Sequence, residues 1–211
     1  MPVLPPTPSH TVGPFYGYAL PFPGGGDIAP AGHPDTVTVH GRVYDGAGAP
    51  VPDALLEFWQ AGPGGSLAGA AGSLRRDPVS GGFSGRDGVD FTGFGRVPTD
   101  ADGHYALRTL PPGAPAVPYL SVCVFARGLT HHLFTRAYLA QDAQDAEAAE
   151  EAGGPGDAGA ADGPAPDALL ASLPPDRRET LMARPEADRP RTYRFDIRLQ
   201  GERETVFLDF T

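Results

Sequence analysis

The stretch that decides the fold is PYLSVCVFARG, residues 118–128. It is the longest nearly continuous apolar run in the chain, it is rich in valine and aromatic residues, and it closes on an arginine. These properties predict a central buried strand. Because side chains alternate along a strand, one face is expected to carry Tyr119, Ser121, Cys123, Phe125 and Arg127. At about 3.3 Å per residue, Ser121 and Arg127 lie about 20 Å apart, too far to serve one small-molecule pocket.

The composition limits the class of protein. A chain of 211 residues fits one all-β domain or at most two small domains. The counts of 29 glycines and 25 prolines favour short strands joined by many turns. The net charge of −10 disfavours nucleic acid and anionic membranes as partners, because both require a basic surface.

The single cysteine, Cys123, excludes an intrachain disulfide framework and suits a reducing compartment. Its place inside the apolar run favours a buried structural thiol over a nucleophile. The N-terminal residues lack the basic and apolar regions of a signal peptide, and no apolar span reaches 18 residues. The sequence therefore predicts a soluble, cytoplasmic protein.

The order of the apolar patterns predicts a β-sandwich of about eight short, mostly antiparallel strands with long loops and one short helix. Residues 61–88 are predicted to form a long loop, residues 174–183 the helix, and residues 192–210 a hairpin about Gly201. The predicted strands are residues 36–44, 52–60, 89–97, 103–110, 118–128, 132–139, 192–199 and 204–210.

Two segments are set apart from this domain. Residues 1–35 are rich in proline but carry several aromatic side chains, so an extended arm that packs on a partner chain is favoured over a frayed tail. Residues 141–166 contain almost only Ala, Gly, Asp and Glu, and no hydrophobic residue larger than Ala apart from proline. They are predicted to form a flexible, solvated insertion within the domain of residues 36–211.

No set of residues in the sequence makes a self-sufficient catalytic site. The six histidines form no metal-binding pair, and neither a phosphate-binding glycine motif nor a nucleophile elbow occurs. Arg127 is the exception, because a charge at the end of a core strand needs a partner. Two alternatives stay open for it: a salt bridge or surface position, or a guanidinium fork that holds the carboxylate of a ligand.

Several motifs, taken in order, resemble the intradiol ring-cleavage dioxygenases. They are TPSHTVGPF (7–15), VHGRVYDG (39–46), EFWQA (57–61), FGR (94–96), GHY (103–105), LPPG (110–113), FARG (125–128), RRETL (177–181), YRFDIRLQG (193–201) and ETVFLDF (204–210). The resemblance covers nearly the whole chain except the insertion at 141–166. Each motif alone is modest, but their number and order make the match specific.

Catalytic chains of that family hold a non-haem Fe(III) with two tyrosines and two histidines. The resemblance places these ligands at Leu67, Pro115, Tyr119 and Ser121, so all four are replaced here. Leu and Pro side chains offer nothing to a hard ferric ion, and Tyr119 alone cannot hold it. The departure implies a non-catalytic chain, named alpha in the family's two-chain members, with Fe(III) in the partner beta chain and no metal bound by this chain.

In those two-chain enzymes the active site lies at the interface between the chains. The resemblance places Arg127 beside the substrate pocket and Thr11, Gly13 and Pro14 in its wall. It implies a subunit of a higher αβ oligomer that opens the aromatic ring of 3,4-dihydroxybenzoate with O2 to give 3-carboxy-cis,cis-muconate. This chain would supply pocket wall, substrate electrostatics and assembly surface.

Two other hypotheses stay open from the sequence. Residues 36–113 alone also suit a non-enzymatic, transthyretin-like binding module. A weaker alternative is a catalytic chain with different iron ligands, which predicts stoichiometric, coloured iron in the isolated chain.

Overall fold

The computed structural model describes residues 16–69, 74–113, 119–140 and 167–210. The insertion predicted at 141–166 and the first 15 residues lie outside the described residues. Within the described part, no helix is long and apolar enough to cross a membrane.

The regular secondary structure of the described residues is mostly strand, as expected for an all-β protein. The helices are short: α1 is Tyr16–Ala19, α2 is Ala168–Ser172, and α3 is Pro175–Arg178, followed by a 3₁₀ turn at Glu179–Leu181. The strands are β1 Val37–Tyr44, β2 Leu55–Trp59, β3 Leu74–Arg76, β4 Phe83–Arg86, β5 Phe94–Pro98, β6 His104–Thr109, β7 Tyr119–Phe125, β8 Leu133–Leu139, β9 Met182–Pro185, β10 Thr192–Arg194 and β11 Ile197–Arg198.

Nine strands form one curled sheet. Eight of them follow the order β11-β1-β10-β9-β8-β7-β2-β5, and the ninth, β6, also pairs with β1. Pairings of β1 with β10 and β11, and of β8 with β9, are parallel, and the others are antiparallel. β9 joins two layers, because it pairs with β10 on one side and with β8 on the other. The predicted sandwich is confirmed, with eleven described strands instead of about eight.

The core lies between these layers. Strand β1 alternates strictly between buried and half-buried side chains, as its period-2 pattern predicts. Its buried valines share one hydrophobic cluster with the inward side chains of β2, β6 and β7, namely Leu56, Phe58, Tyr105, Leu107, Leu120, Val122 and Val124. The cluster fixes which face of β7 points inward, because a one-residue slip would expose every apolar side chain.

The C-terminal half differs most from the predictions. The helix predicted at 174–183 is only α3 and one 3₁₀ turn, and from Met182 onward the chain is strand β9. The strand predicted at 192–199 is split at Phe195 and Asp196, where the Asp196 carboxylate accepts the backbone N–H of Arg42 at 3.0 Å. The second arm of the predicted hairpin is not a regular strand. Its Leu208 forms an isolated bridge with Phe134 of β8 instead.

The loop predicted at 61–88 is also interrupted, since β3 and β4 form a separate two-stranded sheet within it. This hairpin is small and mostly exposed, and its glycine-rich sequence hides the pairing from any pattern of apolar residues.

The described part of the N-terminal arm packs on this chain's own sheet. Ile28 is fully buried in the main cluster, and the backbone N–H of Arg96 and of Arg108 donate to the carbonyls of Gly25 and Gly26. A Cβ on Gly25 would lie 2.1 Å from the Arg96 carbonyl oxygen, so the close approach requires glycine there. That the arm of residues 1–35 also packs on a partner chain stays a prediction.

Removing the Tyr105 hydroxyl should destabilise the core. This hydroxyl is buried and donates to the backbone carbonyl of Phe195 at 2.6 Å, and burial raises the pKa of Tyr105 well above its usual value. Tyr105→Phe leaves that carbonyl unpaired, so the free energy of unfolding should fall by about 1–3 kcal/mol in urea titrations. Tyr44→Phe is the matched control, because no hydrogen bond of its hydroxyl is found among the described residues. Equal stability of the two variants would contradict the assigned role.

Candidate functional site

The chemistry-bearing side chains lie on the outer face, defined here as the side of β5, β2, β7 and β8 that points away from the core. In register across these strands, Ser121 of β7 lies opposite Trp59 of β2 and opposite Arg136 of β8. Tyr119 lies two residues from Ser121 on the same face, opposite Tyr138. The sequence prediction that Tyr119, Ser121, Cys123 and Phe125 share one face is therefore confirmed by the register.

The residues at the family's iron-ligand positions do not make a metal site. Leu67 has an apolar side chain that is 85% exposed, and Pro115 lies outside the described residues. Ser121 is exposed and offers one neutral hydroxyl. Among the described residues, no group of three or more His, Cys, Asp or Glu side chains is arranged to hold a metal ion. The donor set present does not fit a ferric ion, which prefers anionic oxygen and imidazole ligands.

Instead, an arginine lies over the ring of Tyr119. The guanidinium carbon of Arg136 is 4.3 Å from the centre of the Tyr119 ring. Its Nη1 donates to Asp167 Oδ2 at 3.1 Å and to the Tyr138 hydroxyl at 3.1 Å, and that hydroxyl donates to Asp167 Oδ1 at 3.0 Å. We call Tyr119, Arg136, Tyr138 and Asp167 the Arg136 cluster.

The Arg136 cluster also fixes the start of α2. Asp167 is the N-cap residue of this helix, and its carboxylate accepts the backbone N–H groups of Leu169 and Leu170. Arg136 and Asp167 are only 26% and 12% exposed, so their attraction is less screened than that of a surface pair. The cluster thus ties the chain that follows residue 166 to the outer face.

The protonation states in the Arg136 cluster are well defined. Burial acts to lower the pKa of Arg136, but the hydrogen bond to Tyr138 and the nearby phenol and carboxylate groups outweigh it and raise the pKa. Burial raises the pKa of Tyr138 to about 12, so this phenol stays neutral and donates its proton to Asp167. The cluster is a charged guanidinium paired with one carboxylate at neutral pH.

Arg127 lies at the opposite end of β7, two residues beyond the last strand residue, Phe125. Its Nε donates to Asp53 Oδ2 at 2.6 Å, and its Nη2 approaches the same oxygen at 2.5 Å. The side chain is nevertheless 65% exposed. In the isolated chain Arg127 therefore forms a salt bridge at the surface, which is the first of the two alternatives that the sequence left open. Because the bonds described here use only Nε and Nη2, the fork still has N–H groups to offer a ligand.

Tyr16 of α1 holds this pair from the N-terminal side. Its hydroxyl donates to the backbone carbonyl of Asp53 at 2.8 Å. Burial, followed by the charge of Asp53, raises the pKa of Tyr16 to about 12, so the hydroxyl stays a neutral donor. Thr11, Gly13 and Pro14, the other predicted pocket residues, lie outside the described residues.

A small apolar cavity of about 120 Å³ lies beside Arg127. Residues from α1, the end of β7 and the loop that follows line it: Tyr16, Phe125, Ala126, Leu129, Thr130, His131 and His132. The His132 ring contacts Phe125 and Phe134, with ring centres 5.6 and 4.6 Å apart. An exposed arginine next to aromatic rings is suited to contacting an aromatic carboxylate.

Sequence reasoning did not find Asp53, Arg136, Tyr138 or Asp167. The signal for Arg136 and Tyr138 is present in the predicted strand 132–139, where both lie on the face opposite Thr135, Ala137 and Leu139. Register against β7 was needed to place Arg136 opposite Ser121. Asp167 and Asp53 are distant from their arginines in sequence, and no local pattern connects them.

The family-model comparison matches residues 26–201 to the model described as "Dioxygenase". The chain is 38% identical to the protocatechuate 3,4-dioxygenase alpha chain of Burkholderia cepacia, over 99% of this chain and 100% of that one. It is 34% identical to the alpha chain of Pseudomonas putida, over 99% and 98% of the two chains. Both relatives thus match from end to end.

Two further similarities are more distant. Over 38% of its length the chain is 35% identical to the protocatechuate 3,4-dioxygenase beta chain of Burkholderia cepacia, of which the match covers 30%. Among solved structures, the intradiol ring-cleavage dioxygenase of Tetranychus urticae superposes with a TM-score of 0.55 at 12% identity, over 98% and 97% of the two chains. The second similarity concerns the fold alone.

Cys123 should behave as an inert thiol. It is buried, and burial, followed by the charge of Glu57, raises its pKa to about 12. At pH 8 only about one thiol in ten thousand is then ionised, so iodoacetamide should alkylate the native chain at least 100-fold more slowly than the urea-unfolded chain. Mass spectrometry of quenched samples measures both rates. Similar rates in the two states would contradict the structural assignment of this thiol.

Proposed function

This chain belongs to the intradiol ring-cleavage dioxygenase family, and we propose that it is the non-iron-binding alpha subunit of a protocatechuate 3,4-dioxygenase. The observation that carries the proposal is the end-to-end similarity to two alpha chains, combined with ligand positions that do not fit iron. The alternative of a transthyretin-like binding module is not supported, because both relatives match over 99% of this chain.

The proposed reaction opens the ring of 3,4-dihydroxybenzoate between its two hydroxylated carbons, with both atoms of O2 incorporated, to give 3-carboxy-cis,cis-muconate. The Fe(III) held by the partner beta chain supplies the activation of catechol and O2. This chain binds and orients the substrate from across the interface. The similarity to a beta chain supports a partner of related fold, and the number of αβ pairs in the oligomer is left open.

Arg127 is the proposed substrate-binding residue of this chain. An exposed ion pair such as Arg127–Asp53 contributes only about 0–1 kcal/mol, because water screens it. A charge-assisted hydrogen bond to a substrate carboxylate, closed off from water by a partner chain, is worth about 1.5–3 kcal/mol. The substrate carboxylate can therefore join or displace Asp53 at a net gain. Thr11, Gly13 and Pro14 are proposed to complete the pocket wall.

Glu57, Arg96 and Trp59 are the outer-face groups between the two ends of β7. Arg96 forms hydrogen bonds of 2.8 and 2.5 Å with Glu57, and Trp59 is 55% exposed while its ring lies 4.5 Å from that of Phe94. Exposed aromatic side chains are enriched at protein interfaces. The exposed Trp59 therefore supports assembly with a partner on this side of the sheet. We also propose that the complex is cytoplasmic, which agrees with the free, buried Cys123.

Arg127→Ala should weaken substrate use without preventing assembly. In the complex with the beta chain, kcat/KM for 3,4-dihydroxybenzoate is expected to fall about 10- to 100-fold through loss of the charge-assisted contact. Arg108→Ala is a matched control, because Arg108 is equally exposed and also pairs with an aspartate, Asp27, but lies away from β7. An unchanged kcat/KM for Arg127→Ala, or an equal loss in the control, would exclude the proposed role.

The division of labour between the two chains is tested by co-expression with a protocatechuate 3,4-dioxygenase beta chain. The purified complex should contain iron and cleave 3,4-dihydroxybenzoate, whereas this chain purified alone should be colourless and contain far less than one iron per chain by metal analysis. Stoichiometric, coloured iron in the isolated chain would favour the alternative of a catalytic chain with different ligands. A stable monomer that ignores the beta chain would refute the subunit assignment.

A further inference from the structure

The outer face beside Tyr119 already contains a cation. Arg136 is opposite Ser121 in the β7–β8 register, and its guanidinium lies 4.3 Å from the centre of the Tyr119 ring. The resemblance assigns Tyr119 and Ser121 to two metal-ligand positions, which lie two residues apart on one strand face. A positive group of this chain therefore lies beside both positions at which relatives of the catalytic type hold a metal ion.

Two oxygen acceptors lie at the same nitrogen of this guanidinium. The carboxylate of Asp167 and the phenol of Tyr138 both lie 3.1 Å from Nη1 of Arg136. Phenol and carboxylate oxygens are also the ligands that hard metal cations take. In this chain the guanidinium occupies them, and the carboxylate charge is neutralised without a metal ion.

We propose that Arg136 replaces a metal cation on this face and keeps metal ions out of it. The proposal rests on family membership and on the geometry of the Arg136 cluster, and it is independent of the partner chain and of the substrate. Its consequence is that Arg136 excludes metal ions from this face in addition to the loss of the metal ligands. Restoring histidines at positions 119 and 121 should not restore metal binding as long as Arg136 is present.

A second arginine on the same face forms an ion pair away from the two metal-ligand positions. Arg96 and Glu57 are 22% and 18% exposed, close to the values for Arg136 and Asp167, and Arg96 also lies over an aromatic ring, that of Phe94. Its hydrogen bonds go to Glu57 and to the backbone carbonyl of Leu20, and neither Tyr119 nor Ser121 faces it. Arg96 is therefore a matched control in burial, charge and stacking.

The test is a Co²⁺ titration of the full-length isolated chain, followed by visible absorption. The background carries Tyr119→His and Ser121→His, which place two imidazoles two residues apart on one strand face. Adding Arg136→Gln frees Asp167 and completes a set of two histidines and one carboxylate, a known arrangement for divalent metals. We expect the chain with Arg136→Gln to bind Co²⁺ at least 10-fold more tightly than the chain that retains Arg136.

Adding Arg96→Gln instead of Arg136→Gln should leave Co²⁺ affinity unchanged, and circular dichroism verifies that each variant is folded. If Arg136→Gln does not fold in this background, Arg136→Met replaces it, because Met keeps the apolar contact with neighbouring rings and removes the charge. Equal affinity with and without Arg136, absence of binding in both, or the same gain with Arg96→Gln would overturn the proposal. None of these outcomes depends on ring-cleavage activity, so the proposed function is tested separately.

Discussion

The structure depends on the register that strand β7 keeps with β2 and β8. One face of β7 contributes Leu120, Val122 and Val124 to the main core, where each is almost completely buried. Burying three such side chains is worth roughly 1.5–3 kcal/mol each, so a shift by one residue is prohibited. The outer-face positions of Tyr119, Ser121, Cys123 and Phe125 follow from this constraint, because side chains alternate between the two faces.

The same strand separates two positively charged sites, one at each of its ends. At one end Arg136 is held by Asp167, Tyr138 and the Tyr119 ring, and both members of the ion pair are largely buried. At the other end Arg127 is held by Asp53 but is mostly exposed. The difference in exposure indicates different roles for the two arginines. An arginine in an exposed ion pair can exchange its carboxylate partner at a low cost in free energy, whereas an arginine in a mostly buried pair cannot. Arg127 suits a ligand, and Arg136 suits permanent structure.

The sequence predicted the parts of the fold that local patterns determine. Strands β1, β7 and β8 were placed within a few residues, because each alternates or runs apolar against a single core. The predicted helix at 174–183 forms only up to Leu181, since Met182–Pro185 pairs with β8 and β10 and this non-local pairing outweighs local preference. The predicted hairpin was wrong for a related reason. The Asp196 carboxylate accepts a backbone N–H of β1, and Leu208 forms its bridge with Phe134 of β8 instead of with the first arm.

The candidate site was predictable only where a residue type was unusual in its position. Arg127 was identified because it closes an apolar run, whereas Asp53, its partner 74 residues earlier, carries no local signal. Tyr119 and Ser121 were identified as replacements of metal ligands, which describes what the face lost. The position of Arg136 depends on a strand register, and its partner Asp167 lies 31 residues further along the chain, and both are tertiary facts. The half-buried carboxylate of Asp167 is stabilised by a nearby cation, because its charge is only partly screened by water. Arg136 is the cation that the β7–β8 register places there. Arg136 therefore has a structural role, because it links strand β8 to Asp167 at the start of α2.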